Sequence, residues 1–135
     1  MDTPKKNRMD LAGKNIVASG LFYQKEKGKR IYVAGAYTKG DVIINVRKAL
    51  LVADHLIELG YTPYVPHLSH FWHFLSPKTY GFWLKYDLSF LAYWAEGVLR
   101  LDNESKGADH EVALALSLDI PVYYGIESLL AVKEE

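Results

Sequence analysis

Short β-rich runs that alternate with longer helical segments are the feature that most restricts the fold of this chain. The β-rich runs are RIYVAG (30–35), YTPYVP (61–66), GVLRL (97–101) and IPVYY (120–124). The segments with a helical pattern are 41–59, 79–96, 108–119 and 126–135. Strands about 30 residues apart with a helix between them indicate a parallel sheet covered by helices on both faces. We therefore expect a single-domain, three-layer, doubly wound α/β fold of the flavodoxin or Rossmann type, with four to five mostly parallel strands.

The order of these segments also predicts where a ligand binds. Asp41 is a good N-cap for the first helix, which should stop before Gly60. The segment 67–78 is aromatic, rich in histidine and loop-like, and DNESKG (102–107) is a turn before a helix at 108. In doubly wound sheets ligands bind at the carboxyl ends of the strands, near the switch in strand order. This places the loops 35–40, 67–78 and 102–108 in the candidate site.

Composition excludes several classes of function. The 16 basic and 16 acidic side chains balance, so no overall field favours nucleic acid, and the absence of cysteine excludes disulfides and thiol chemistry. No apolar run approaches the roughly 20 residues of a membrane span. We expect a cytoplasmic protein with a basic, flexible leader (1–29) and one α/β domain (30–135), acting on a small molecule rather than on nucleic acid or a membrane.

Two predicted helices each carry a carboxylate on an apolar face. Within its predicted helix, the residues three, four and seven positions from Glu111 are all apolar, and so are the corresponding neighbours of Asp87. These neighbours are Ala108, Leu114, Ala115 and Leu118 for Glu111, and Trp83, Leu84, Phe90, Leu91 and Trp94 for Asp87. A carboxylate in such surroundings is costly unless something satisfies it. Glu111 could simply complement the helix dipole, and Asp87 could be a buried Asp that backbone amides, Arg or Tyr satisfy.

Paired carboxylates in unlike environments are also the catalytic groups that cleave glycosidic bonds. We expect Glu111 to lie in the first turn of its helix, where the dipole favours the ionised form and suits a nucleophile. Asp87 lies mid-helix among large aromatic residues, where desolvation favours the neutral form. It therefore suits a general acid or a group that positions the base.

The residues near these carboxylates suggest further ligand contacts. Ser105, Lys106 and the N–H groups of Gly107 and Ala108 form a loop at a helix N-terminus, which can hold a phosphate. Aromatic side chains could sandwich a planar base or could be ordinary core; they are Phe71, Trp72, Phe74, Tyr80 and Trp83. Three histidines at a spacing of three residues leave open a metal-dependent hydrolase or a plain pocket wall; they are His67, His70 and His73. This stretch lacks a clear acidic partner, so we predict no metal and no cofactor.

The ordered set of motifs resembles the nucleoside 2-deoxyribosyltransferase superfamily. The motifs are IYVAGAYT, an Arg-bearing helix, WLKYD and SKGADHEVALAL, and they span roughly residues 30–125. The likeness is greatest to small uncharacterised members and to the 2′-deoxynucleoside 5′-monophosphate N-glycosidases. The sequence departs from the characterised enzymes in the approach to Glu111, which is not Gly-rich and carries a second acid, Asp109.

The resemblance implies a covalent glycosyl-enzyme route and assigns roles by position. It implies that Glu111 is the nucleophile, that Asp87 contacts the base and that Tyr32 lies near the nucleophile. The candidate substrate-binding residues are Gly35, Tyr37, Arg47, His67, Trp83, Ser105, Gly107 and Ala108. The resemblance also implies a homodimer or larger homo-oligomer.

Besides a metal-dependent hydrolase that would use His67, His70 and His73, two classes of function remain open from the sequence. The first is an enzyme that cleaves the N-glycosidic bond of a nucleoside or (deoxy)nucleoside 5′-monophosphate, either as a hydrolase or as a base transferase. The second is a nucleotide-binding module without catalysis.

Overall fold

The helices and strands follow the predicted alternation. The computed structural model describes residues 15–18, 21–24 and 28–134. The strands in these ranges are β1 (Asn15–Ala18), β2 (Leu21–Gln24), β3 (Arg30–Ala34), β4 (Thr62–Tyr64), β5 (Gly97–Arg100) and β6 (Val122–Tyr124). The helices are α1 (Val42–Glu58), α2 (Ser69–Leu75), α3 (Tyr80–Tyr93), α4 (Lys106–Ser117) and α5 (Ile126–Glu134), with a 3-10 turn at Pro66–Leu68.

Four of these strands form a parallel sheet in the order β4-β3-β5-β6. The chain moves from β3 outward to β4, then crosses to the other side of β3 to form β5 and β6. The predicted parallel, doubly wound α/β fold is therefore confirmed. The strand order reverses between β3 and β5, and the loops after these two strands diverge there and leave a crevice.

The two faces of the sheet pack against different helices. Ile31, Val33 and Leu99 pack with residues of α1 and α5 in one buried cluster. Tyr32 and Val98 pack in a second cluster with residues of α3 and α4. Because side chains alternate between faces along a strand, β3 and β5 contribute to both clusters. The three expected layers are present, and Tyr32 points to the face covered by α3 and α4.

A hairpin precedes the sheet. β1 pairs with β2 in antiparallel register, with Ile16 opposite Tyr23. Much of the predicted flexible leader (1–29) lies outside the described residues, so its flexibility stays a prediction. No helix in the described ranges is long and apolar enough to cross a membrane.

Side-chain caps determine where three helices begin. The Asp41 carboxylate accepts a hydrogen bond from the Ile44 N–H at 3.1 Å, as the sequence predicts for α1, and Gly60 follows the helix in the left-handed region (φ 93°). Thr79 caps α3 in the same way. The Ser105 hydroxyl accepts from the Ala108 N–H at 3.0 Å, so α4 starts at Lys106 rather than at 108. The predicted start of this helix was wrong because Ser105 caps it.

The segment 67–78 is more ordered than the sequence suggested. Instead of a loop, it contains the end of the 3-10 turn and the helix α2. Pro66 begins the turn, where a missing N–H costs nothing. Aromatic residues hid the short helix, since they favour strands and loops as readily as helices.

We predict that Gly35→Ala lowers stability by about 1–3 kcal/mol, because the added methyl would overpack a filled site. A Cβ at position 35 would lie 2.6 Å from Leu101 Cδ1 and 3.0 Å from Leu101 Cβ. Urea unfolding measures the loss. Gly81→Ala is the matched control: position 81 lies in α3, nothing lies within 4 Å of its added Cβ, and the change should stabilise the helix by up to about 1 kcal/mol. Equal effects of the two substitutions would contradict the packing argument.

Candidate active site

A cavity of about 570 Å³ opens at the carboxyl ends of β3, β4 and β5, within the roughly 300–1,000 Å³ range of small-molecule sites. All three loops that the sequence predicts for the site contribute to its wall, together with α3 and α4. The cavity lies at the reversal of strand order, which is where doubly wound sheets bind ligands.

Most of the predicted site residues meet in this cavity. The residues that line it are Gly35, Tyr37, His67, Trp83, Asp87, Ser105, Gly107, Ala108 and Glu111. Tyr32 lies beneath the wall, completely buried, in contact with Glu111. Arg47 is different, because it lines a separate shallow depression between α1 and the start of α2. The structure does not bring Arg47 to the other candidates.

Glu111 is held by the sheet below it. Its side chain is only 6% exposed, and the hydroxyl of Tyr32 donates a hydrogen bond to its Oε2 atom. Tyr32 is the middle residue of the central strand β3, so its position is fixed on both sides by neighbouring strands. The candidate nucleophile Glu111 therefore receives its hydrogen bond from a residue in a rigid strand.

Asp87 also receives a hydrogen bond from a tyrosine, which lies on the neighbouring strand. The hydroxyl of Tyr64, the last residue of β4, donates to Asp87 Oδ1 over 3.4 Å. Tyr64 is directly opposite Tyr32 in the parallel register, and the two ring centroids are 5.6 Å apart. Two adjacent strands thus present two tyrosine hydroxyls, one to each carboxylate.

Burial, rather than the helix dipole, dominates the electrostatics of Glu111. It is the sixth residue of α4 and lies outside the first turn, where Asp109 is the acid instead. Burial raises the pKa of Glu111 to about 8, and the charge of Asp87 adds to this, whereas the hydrogen bond from Tyr32 and the charge of Arg100 lower it. The expectation that the dipole keeps Glu111 ionised was wrong, because the dipole effect fades beyond the first turn.

Burial also favours the neutral form of Asp87, as the sequence indicated. It raises the pKa of Asp87 to about 7, while the hydrogen bond from Tyr64 lowers it. The pKa of Tyr32 is held well above its usual value, first by burial and then by Glu111. Tyr32 therefore remains a hydrogen-bond donor throughout the working range of the carboxylates.

The N-terminus of α4 forms one wall of the cavity. The Ala108 N–H already donates to Ser105, so the backbone N–H groups of Lys106 and Gly107 are the ones left for a ligand at this helix end. Gly107 allows a close approach, since a Cβ there would lie 3.0 Å from the Tyr80 hydroxyl. Lys106 also lines the cavity.

The three histidines of the aromatic segment have separate partners. His67 Nε2 lies 3.0 Å from the Ala36 carbonyl oxygen, and His70 Nδ1 lies 2.9 Å from the Tyr37 hydroxyl. His73 Nδ1 accepts from the indole N–H of Trp83 at 2.8 Å. Within the ranges described, no group of three His, Cys, Asp or Glu side chains is placed to hold a metal ion.

Sequence reasoning missed several residues of the site. Tyr64 donates to Asp87, and Arg100 pairs with Asp109 on the helix that carries Glu111. Lys39 and Glu104, which both line the cavity, form an exposed ion pair. Arg100 had a visible signal, because it is the one charge in GVLRL, and the three strand residues before it are buried. Tyr64 had none, since a tyrosine in a strand is ordinary.

Among solved structures, the chain is similar to a 2-deoxyribosyltransferase from the psychrotolerant bacterium Bacillus psychrosaccharolyticus. The sequences are 25% identical, the alignment covers 69% of each chain and the TM-score is 0.50. No family model matches the sequence, and no curated protein matches it. This similarity supports the nucleoside 2-deoxyribosyltransferase-like superfamily for the chain. The resemblance drawn from the sequence motifs is thereby confirmed at the level of the superfamily.

We predict that Glu111→Gln changes how stability depends on pH. The pKa of Glu111 is raised from 4.5 to about 8 on folding, so the folded state binds this proton more tightly than the unfolded chain. The contribution to stability is fully present below about pH 4.5 and is lost as pH rises through about 8. Glutamine stays neutral and still accepts from Tyr32, so the variant should gain stability relative to wild type between pH 5 and pH 9.

Urea unfolding at pH 5 and pH 9 measures this gain. The control is Glu58→Gln, which makes the same substitution at an exposed position in α1. A constant difference between Glu111→Gln and wild type at both pH values would show that burial does not raise the pKa of Glu111.

Proposed function

We propose that this chain cleaves the N-glycosidic bond of a nucleoside or deoxynucleoside 5′-monophosphate through a covalent glycosyl-enzyme intermediate. The observation that carries the proposal is that two carboxylates, Glu111 and Asp87, open into one cavity, each held by its own tyrosine. The similar solved protein is a 2-deoxyribosyltransferase, which also supports transfer of a glycosyl group on nucleosides.

The proposed reaction has two displacements. The ionised Glu111 carboxylate attacks C1′, the C1′–N bond breaks, and the neutral Asp87 donates its proton to the departing base. Water or a second base then attacks C1′ and releases Glu111, while the Asp87 carboxylate takes the proton of the attacking group. With water the chain is a hydrolase, and with a second base it is a transferase.

Both carboxyls have raised pKa values, about 8 for Glu111 and about 7 for Asp87, so the mechanism uses the less populated of the two singly protonated forms. The charge of Asp87 contributes to the raised pKa of Glu111, so the ionisation of Glu111 depends on that of Asp87. The active form has the charge on Glu111 and the proton on Asp87. Tyr32 stabilises that form because its hydroxyl donates to the Glu111 carboxylate.

The N-terminus of α4 supports a preference for a 5′-phosphate. Ser105, Lys106 and Gly107 line the cavity, and the N–H groups at a helix start favour anions. Lys39, which pairs with Glu104, and Lys78 also line the cavity. We propose that the phosphate lies at this end of the cavity.

We also propose that the chain acts as a homo-oligomer, as the resemblance implies. Several large apolar side chains of α2 and α3 are exposed, including Phe74, Leu75 and Tyr93. Exposed apolar surface of this kind is typical of protein interfaces. A cytoplasmic location stays a prediction from the sequence.

The first prediction of the proposed mechanism concerns Glu111. Glu111→Gln should reduce release of free base by at least about 10³-fold while the variant stays folded, because no carboxylate remains to attack C1′. Chromatography of a deoxynucleoside 5′-monophosphate reaction measures the base. Intact-mass spectrometry of quenched wild-type protein should show a glycosyl adduct that this variant lacks.

Glu127→Gln, in α5 and exposed, is the control and should behave as wild type. Addition of a second free base separates the two reaction types, since only a transferase forms the new nucleotide. Normal base release by Glu111→Gln would refute the mechanism. Wild-type protein that binds nucleotides and never releases base would favour the non-catalytic nucleotide-binding module.

A second prediction tests the phosphate end of the cavity. Lys106→Met should raise KM for a deoxynucleoside 5′-monophosphate roughly tenfold, since a charge-assisted contact is lost, and should leave KM for the corresponding nucleoside unchanged. Lys85→Met, at an exposed position in α3, is the control. An equal rise in KM for nucleoside and nucleotide would place the phosphate elsewhere.

A further inference from the structure

Arg100 is a buried cation behind the active-site wall. It ends β5, whose preceding residues are fully buried, and its side chain is only 10% exposed. A buried charge is costly unless it is paired and hydrogen-bonded. The contacts of Arg100 therefore need an explanation beyond the stability of the strand.

The guanidinium group connects three parts of the wall. Nη1 donates to the Leu101 carbonyl oxygen at 2.6 Å and to Asn103 Oδ1 at 3.4 Å. Nη2 donates to Asp109 Oδ1, in the first turn of α4, at 3.2 Å. Asn103 Oδ1 also accepts from the Ala36 N–H at 3.0 Å. Arg100 thus ties the loop after β5 to α4 and, through Asn103, to the loop after β3.

The alternation of β5 explains why Arg100 faces α4. Val98 packs in the cluster with α3 and α4, and Leu99 packs on the opposite face, so residue 100 returns to the side of Val98. This is the side on which Glu111 lies. The Asp109 side chain is 70% exposed, so water weakens its hold on the guanidinium charge.

Other charged and titratable groups also lie around Glu111. From the sheet, the Tyr32 hydroxyl donates to Glu111, and the charge of Asp87, on α3, raises the pKa of Glu111. His67, His110, Lys39, Lys78, Lys106 and Glu104 line the same cavity. Lys39 is paired with Glu104 on the exposed rim, where solvent screens both.

We propose that Arg100 is a positioning residue that holds the first turn of α4 through Asp109 and supplies the buried positive charge that stabilises ionised Glu111. Its consequence for catalysis rests on the proposed function, whereas its effect on the charge of Glu111 does not. The proposal also explains the second acid before Glu111, since Asp109 is the partner of Arg100. In agreement with it, Arg100 lowers the pKa of Glu111.

The test follows the ionisation of Glu111 directly. Carboxyl ¹³C NMR of labelled protein gives its titration midpoint, with the signal assigned by its loss in Glu111→Gln. Arg100→Gln keeps hydrogen-bond donors and removes the charge, so the midpoint should rise by about one pH unit or more. Arg100→Lys keeps the positive charge but loses the planar guanidinium group, so the titration midpoint of Glu111 should stay near that of wild type.

The Asp109→Asn variant distinguishes the effect of the Arg100 charge from the effect of its contact with α4. This substitution weakens the contact between Arg100 and α4 but keeps the charge of Arg100, so the titration midpoint of Glu111 should not rise. A midpoint unchanged in Arg100→Gln would overturn the proposal, and so would an equal rise in Asp109→Asn. If Arg100→Gln does not fold, a raised midpoint in Arg100→Lys would still contradict the charge role.

The pH dependence of kcat/KM would not change if the role of Arg100 were purely structural. In Arg100→Gln the acid limb of the kcat/KM profile should shift to higher pH by the same amount as the NMR midpoint, with KM for nucleotide little changed. Loss of affinity without a shift of the limb would contradict the proposal. If wild-type protein releases no base, the proposed function fails, and the NMR titration still decides the role of Arg100.

Discussion

The burial of the Glu111 carboxyl against the Tyr32 hydroxyl is the interaction on which the candidate site depends. A carboxyl that is 6% exposed needs a hydrogen-bond donor, and the central strand supplies one from a residue with no exposure at all. Burial makes the acid hard to ionise, and Tyr32 and Arg100 act in the opposite direction. The chemistry proposed for the cavity depends on this balance.

The sheet extends the same arrangement to the second carboxyl. The parallel register places Tyr64 beside Tyr32, and Tyr64 reaches Asp87 as Tyr32 reaches Glu111. The helices that carry the acids, α3 and α4, pack on the same face of the sheet. A pair of unlike carboxyls therefore follows from one strand pair and two neighbouring helices, and the reversal of strand order opens the cavity above them.

The sequence predicted the fold better than the electrostatics of the site. The apolar neighbours of Asp87 and Glu111 correctly placed both acids on packed faces, since helical spacing alone decides which residues share a face. The protonation of Glu111 was predicted wrongly because Ser105 starts α4 early and moves Glu111 beyond the first turn. Arg47 was grouped with the site by motif, yet it lies beside a different depression.

The sequence by itself determined the alternating strands and helices, the layers and the two carboxyls turned inward, because periodicity and capping are local properties. Tertiary structure decided which groups meet. The partners of Glu111 and Asp87 come from strands far along the chain, and Arg100 reaches Asp109 only because β5 lies under α4. Burial and through-space charge then set the pKa values, and neither quantity can be read from the order of residues.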